Sequence, residues 1–124
     1  MVVYNKENID NTTFLKINIE NNQIIFEGCI DFIQKSYFND IKDILINFLF
    51  SNEDLKTIDI SKLIFINSSG IKLIVETILL YCESEKNKKI IFKRDINKPL
   101  HSSITNSIKK IIEYKKLSDK LILN

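Results

Sequence analysis

Apolar residues between Leu55 and Cys82 change their spacing partway along the segment. Leu55 to Ile60 is a short β-branched run of strand character, whereas positions 71, 74, 75, 78 and 82 repeat at the interval of one helix face. The change falls on Asn67-Ser68-Ser69-Gly70. The pattern therefore predicts a strand, a polar turn, and a helix from Ser68 to about Glu83, with two hydroxyls in its first turn among residues that favour caps. Such a turn belongs at the end of a sheet, where open α/β folds meet ligands and partners.

The flanking pattern supplies the rest of the sheet. Phe14 to Glu20 and Gln23 to Ile30 read as two strands joined at Asn21-Asn22, a hairpin whose turn uses the tolerance of Asn for left-handed backbone. Gly28 interrupts the second strand and marks a bulge or a close backbone approach. Residues 1–13 read as an N-terminal arm or short strand. Phe32 to Phe50, apolar at 33, 37, 41, 44, 45 and 48, predicts an amphipathic helix with Tyr37, Ile41, Ile44 and Phe48 toward the sheet and Ser51-Asn52 as its stop.

Leu55 to Ile60 belongs in the sheet interior. Asp59 within it is expected to accept backbone N–H bonds from the connection over 61–66, because a buried carboxylate needs such partners. Lys89 to Lys93 predicts a further interior strand, reached from the first by a right-handed crossover through the helix. Asp95 to His101, containing Pro99, reads as a loop. Ser102 or Ser103 then caps a last helix with Ile104, Ile108, Ile111 and Ile112 on one face, and Leu117 to Leu123 closes as a half-turn and edge strand. The sum is a single α/β domain over 1–124: a mixed sheet with an N-terminal hairpin, parallel interior strands and about three covering helices.

Projected at about 100° per residue, the helix from Ser68 buries Ile71, Ile74, Val75, Ile78 and Cys82 and leaves Leu73 and Leu80 outward beside Lys72 and Glu76. Two outward leucines on the helix that carries the serines suggest a binding patch. The alternative is that they pack on a neighbouring helix or stand exposed singly.

Composition changes this picture by exclusion. Among 124 residues, 18 basic and 16 acidic side chains leave a net charge of +2, too balanced to draw a nucleic-acid backbone, and no nucleic-acid motif accompanies it. Basic residues gather in Lys86 to Arg94 and Lys109 to Lys120, interleaved with apolar ones as on a solvated face. Cys29 and Cys82 lie far apart, which predicts free buried thiols in a reducing cytoplasm and neither a disulfide framework nor a zinc site. No leading signal pattern and no apolar run near ~20 residues is found, so the expected setting is cytoplasmic and away from membranes. A serine-hydrolase reading would need a base for Ser69, but His101 is the only histidine and no Gly-x-Ser-x-Gly elbow exists.

The run Thr-Ile-Asp-Ile-Ser-Lys-Leu-Ile-Phe-Ile-Asn-Ser-Ser-Gly-Ile resembles the signature of STAS domains, the bacterial anti-sigma factor antagonist family, whose usual form is Asp-Ser-Ser-Gly after a strand containing Asp-Leu-Ser. Phe26-Glu27-Gly28-Cys29-Ile30-Asp31 resembles the family's Gly-Glu-Leu-Asp segment, and the order of elements fits over roughly residues 14 to 123. One residue departs from the pattern. Asn67 stands where the family usually carries Asp, as in a subgroup of stand-alone regulators resembling this chain.

The resemblance implies a phosphorylation-controlled binding module that needs no cofactor. Its second serine maps onto Ser69 as the phosphorylated residue; Ser68 is the less favoured acceptor and otherwise a neighbour or cap. Asp31 would orient a partner beside Asn67, Ser68 and Gly70, the last leaving room for approach, while Lys72, Leu73, Glu76 and Leu80 extend the partner surface. The implied partners are a serine kinase or anti-sigma factor of the histidine-kinase-like ATPase fold and a metal-dependent protein phosphatase. A helix N-terminus favours an anion by roughly 0.3–1 kcal/mol, so a phosphoserine there alters docking without unfolding the helix. The runner-up is a STAS-like scaffold or small-ligand sensor, for which a cavity lined by Phe26, Phe48 and Phe65 would be needed.

Overall fold

The computed structural model describes residues 1–7, 14–31, 35–51, 55–84, 89–114 and 121–123. Its hairpin forms where the sequence predicts it. Strand β2 (Phe14–Glu20) turns through Asn21, which adopts the left-handed conformation at φ 54°, into β3 (Gln23–Ile30). Asn takes this backbone more readily than other non-glycine residues. Strand β1 (Val2–Glu7) lies antiparallel on the far side of β2, so the N-terminal arm is a strand, while the part of it over 8–13 lies outside the described residues.

Beyond β3 the chain repeats one manoeuvre. Helix α1 (Lys35–Leu49) leads to β4 (Leu55–Ile66), α2 (Ser68–Ser84) leads to β5 (Lys89–Lys93), and α3 (Pro99–Tyr114) leads to β6 (Leu121–Leu123). Each new strand joins parallel to the last, giving a sheet in the order β1-β2-β3-β4-β5-β6. Right-handed crossovers that always step the same way place every connecting helix on one face. Burial agrees: in β3 Ile24, Phe26, Gly28 and Ile30 are sealed, and the residues between them are only half-buried. Interior strands thus belong to one mixed sheet beneath three helices, as the apolar pattern predicts.

Several local expectations are corrected. The α1 stripe that reaches the core is Ile41, Leu45, Phe48 and Leu49, with Ile44 and Tyr37 only half-buried. Tyr37 lies at the edge under the Lys6 ammonium, 3.5 Å from its ring centroid. The expected start of that helix at 32–34 and its stop at Asn52 lie outside the described residues. Cys82 is sealed, but Cys29 is only half-buried on the face opposite the helices. Helix α3 starts at Pro99, whose locked φ suits a first helical position, so Ser102 and Ser103 sit inside the helix and cap nothing.

The largest departure is β4. It runs 12 residues to Ile66, through the stretch expected as a connection. Its core-facing residues are Ile58, Ile60, Leu63 and Ile66, spaced by two, three and three. Pairing with β3 explains the irregular spacing: the register slips between Ile25 and Glu27 and again between Gly28 and Cys29, each slip letting β4 carry one extra residue. Bulges of this kind return the same face to the core after an odd step. A reading based on strict alternation therefore ends the strand at Ile60. Asp59 accepts one N–H from this half of the strand, Ser61 N at 2.8 Å, and faces the Lys93 ammonium at 3.8 Å. Lys56 is buried with its ammonium on the Ser51 hydroxyl and above the Phe48 ring.

Gly28 sits at the second slip with φ 101°, and a Cβ placed there would stand 2.1 Å from the Phe14 carbonyl oxygen. No L-residue adopts that backbone without strain, and the carbonyl belongs to the paired strand. Gly28→Ala is expected to destabilise the domain by about 2–4 kcal/mol, read from the midpoint of chemical denaturation. A loss below about 0.5 kcal/mol would contradict the close approach.

Candidate functional site

Two chain segments meet at the carboxyl ends of the long parallel strands: Asp31 after β3 and Asn67 to Ser69 after β4, whereas β5 and its loop end alongside the middle of β4. Asn67 joins the two. Its Oδ1 accepts the Gly70 N–H at 2.9 Å and its carbonyl accepts the Ile71 N–H at 3.1 Å, so Asn67 is the N-cap of α2. Its Nδ2 donates to Asp31 Oδ1 at 3.0 Å, and its own N–H donates to the Ile30 carbonyl at 2.9 Å. One side chain thus closes the helix start and holds the carboxylate that ends β3.

With Asn67 as cap, Ser68 and Ser69 occupy the first two helical positions, and both are exposed. Their hydroxyls take no part in capping. Their N–H groups precede the first intrahelical bond and point toward the end that carries about half a positive charge. Around 100° per residue, Ser69, Lys72, Glu76 and Leu80 fall on one solvent stripe. Lys72 and Glu76 are exposed and approach each other at 3.9 Å, an i,i+4 pair that leaves little net charge there.

Two expected partner-surface residues are misplaced in the sequence reading. Leu73 is 2% exposed and part of the core. Helix α2 packs against both α1 and α3, so its flanks as well as its base are covered, and Leu73 lies on a flank. Gly70 is also buried. A Cβ there would fall 2.7 Å from Ile30 Cγ2 and 2.8 Å from Ile66 Cγ1, so the missing side chain lets α2 start tightly against the ends of β3 and β4. It serves packing and opens no path to the serine. Leu80 is 51% exposed as expected, but eleven residues along the helix put it about 16 Å from Ser69.

The structure adds residues that the sequence reading missed. Ile64 is 66% exposed and Phe65 46% exposed, immediately before the cap. Ile64 is the extra residue of the second register slip, which turns it outward. The signal was the three-residue spacing of Ile60, Leu63 and Ile66. Exposure of Phe65 also means that it cannot line an interior cavity with the buried Phe26 and Phe48.

His101 is sealed on α3. Its Nε2 donates to the Leu63 carbonyl at 2.8 Å, and its Nδ1 accepts the Asp95 N–H at 3.1 Å. With both ring nitrogens engaged in the interior, it is not available as a base for Ser69. It lies in the first turn of α3 and not in the loop expected up to His101, and it acts there as a buried pin. Among the described residues no group of three or more His, Cys, Asp or Glu is placed to hold a metal, and no helix is long and apolar enough to cross a membrane.

No protein-family profile and no curated protein sequence matches this chain. Solved structures do. A chain in the crystal structure of the diguanylate cyclase SiaD in complex with its activator SiaC, from Pseudomonas aeruginosa, aligns at TM-score 0.60 and 13% identity over 97% of both chains. An anti-sigma factor antagonist from Mycobacterium paratuberculosis aligns at TM-score 0.56 and 14% identity over 86% of both chains. SiaC alone, also from Pseudomonas aeruginosa, aligns at TM-score 0.55 and 13% identity over 87% of this chain and 89% of that one. The fold is the STAS fold of these proteins, as the Asn-Ser-Ser-Gly resemblance implies.

Removing the cap separates its two duties. Asn67→Ala is expected to cost about 1 kcal/mol in chemical denaturation, whereas Asn67→Ser, which keeps an oxygen for the Gly70 N–H, recovers most of it. Asp31→Ala, at an exposed carboxylate, stays within about 0.5 kcal/mol of the parent. Equal losses for Asn67→Ala and Asp31→Ala would show that the cap is not what holds this turn.

Proposed function

We propose that this protein is a protein-binding regulator of a bacterial partner-switching pathway, controlled by phosphorylation of Ser69. The observation that carries the reading is the position of that hydroxyl. It is exposed in the first turn of α2 and free of capping duty, on a helix start anchored by Asn67 to both β3 and β4. A kinase can reach it without opening the domain.

The chemistry of the switch follows from charge. A phosphate adds about −1.5 to −2 charges and three acceptor oxygens, which the positive end of α2 tolerates. The adjoining Asp31 is exposed and already acidic, and the Lys72 charge is shared with Glu76, so little nearby cation is free to absorb the new charge. A partner that fits the unmodified turn closely would meet desolvation and repulsion after modification, and ~3 kcal/mol of such penalty weakens binding more than a hundredfold. Asn67 in place of the usual Asp makes the turn one charge less acidic before modification.

Partners are proposed from the resemblance and supported by the fold. The kinase is a serine kinase of the histidine-kinase-like ATPase fold, which also binds the unmodified protein, and a metal-dependent protein phosphatase restores it. The structural neighbours include an anti-sigma factor antagonist and the activator of a diguanylate cyclase, both names for proteins that act on another protein. The output here is accordingly a sigma-factor circuit or a signalling enzyme. The protein acts by docking and carries no catalysis of its own, in a cytoplasmic setting.

Incubation with such a kinase and ATP is expected to add the mass of one phosphate to the intact protein, and to add none to Ser69→Ala. Ser69→Asp is expected to bind the kinase more than about tenfold more weakly than the parent while its melting temperature stays within a few degrees. Equal affinities for Ser69→Asp and the parent, or phosphate found elsewhere in Ser69→Ala, would overturn the assignment.

A further inference from the structure

The second half of β4 lacks a strand on one side. Strand β5 pairs with β4 only from Leu55 to Asp59, opposite Lys89 to Lys93, so from Ile60 onward the edge that faces β5 has no ladder. Side chains from the start of α3 fill the gap. Lys98 Nζ donates to the Ser61 carbonyl at 3.1 Å, and His101 Nε2 donates to the Leu63 carbonyl at 2.8 Å. These are carbonyls of alternate residues, the spacing at which a neighbouring strand would offer its N–H groups.

The His101 bond differs from the lysine bond in its second partner. A carbonyl only accepts, so Nε2 must carry the proton; the Asp95 N–H only donates, so Nδ1 must be bare. Both partners therefore require the neutral ring with its proton on Nε2, in a site with no solvent exposure. A second proton would set two donors face to face at Nδ1 and place a cation in the interior.

The charged side chains on the surrounding elements do not favour that cation. From β4 they are Lys56, Asp59 and Lys62; from β5 and its loop, Lys89, Lys93, Arg94, Asp95 and Lys98; from α3, Lys109, Lys110 and Glu113; and from α2, the mutually paired Lys72 and Glu76 and, at its far end, Glu83. Asp59 is engaged by the Ser61 N–H and Lys93, and Asp95 by the Asn97 N–H at 3.0 Å. Arg94 directs Nη1 to Thr105 Oγ1 at 2.6 Å, one turn beyond His101 on the same helix. Cations outnumber carboxylates, and the two carboxylates on the adjoining strand and loop, Asp59 and Asp95, are occupied.

We propose that the Leu63–His101–Asp95 bridge is a proton-sensitive latch on the bulged end of β4, which displays Ile64 and Phe65 and leads into the Ser69 turn. With the ring neutral the latch is closed and the segment is held as a strand. Protonation releases Asp95 from the ring, loosens the Leu63 carbonyl, and lets Lys62 to Asn67 open locally while the hairpin and the rest of the sheet stay paired. The latch rests on the proposed function only for its consequence, acid-weakened docking at Ser69; its own test needs no partner.

Hydrogen exchange of the intact protein reads it directly, because histidine is the side chain that ordinarily changes charge between about pH 5 and 8. Protection factors, corrected for the intrinsic pH dependence of exchange, are expected to fall about tenfold or more for the 62–67 amides between those limits and less than about twofold for the β2–β3 hairpin. His101→Gln, which keeps an N–H for Leu63 but cannot titrate, is expected to lose the difference. Ring nitrogen resonances of the parent near the upper limit are expected to show the neutral Nε2–H form, a readout that holds even if the variant folds poorly. A proton on Nδ1, equal pH response in both regions of the parent, or an undiminished response in His101→Gln would each overturn the latch.

Discussion

Asn67 makes the bonds on which the junction between β3, β4 and α2 depends. Its backbone N–H reaches the last residue of β3, its Oδ1 closes the first turn of α2, and its Nδ2 holds the carboxylate of Asp31. A helix that follows a strand with one residue between them has little slack, and here the slack is removed by packing as well. Gly70 lies so close to Ile30 and Ile66 that a methyl group would not fit. The serines are therefore presented by a rigid junction of two strands and a helix, and the hydroxyl of Ser69 projects from it without contributing to its stability.

The strand that leads to this junction is held in an unusual way. On one side β4 pairs with β3 along its length but gains two residues through register slips; on the other its pairing with β5 stops halfway. The first feature turns Ile64 out to solvent. The second leaves carbonyls that α3 satisfies with Lys98 and His101. Together they place two apolar side chains shortly before the Ser69 turn, on backbone held by a ladder on one side and by side-chain bonds on the other. Local opening is easier for such backbone than for the doubly paired strands of the sheet interior. The exposed apolar pair and the one-sided pairing thus have a common origin in the extra length of β4.

Much of this was legible because the sequence keeps local and global signals in agreement. Asn21-Asn22 between alternating strands marks the hairpin, and the change of period at Asn67 marks the start of α2 to the residue. Gly28 was legible as a close approach. The failures share a cause, which is tertiary context. Leu73 projects outward on an isolated helix but meets neighbouring helices on a central one. Gly70 reads as an open door until Ile30 and Ile66 are seen against it. Strict alternation ends β4 at Ile60 because bulges have no composition of their own, and with the strand lost, exposure of Ile64 and Phe65 could not be read. A lone histidine after a proline gave no sign that its ring would replace a strand's hydrogen bond.

The central claim is that a doubly charged group on Ser69 changes the surface of this junction and leaves the fold as it is. Its most direct test is the backbone amide spectrum of the protein carrying phosphoserine at 69, compared with that of the unmodified protein. Shifts confined to Asp31 and to the stretch from Ile64 to Lys72, with the remaining amides unmoved, are the expected result. Displacements spread through β1, β5 and α1, or loss of dispersed peaks, would mean that the phosphate acts by disturbing the domain, and would contradict the account.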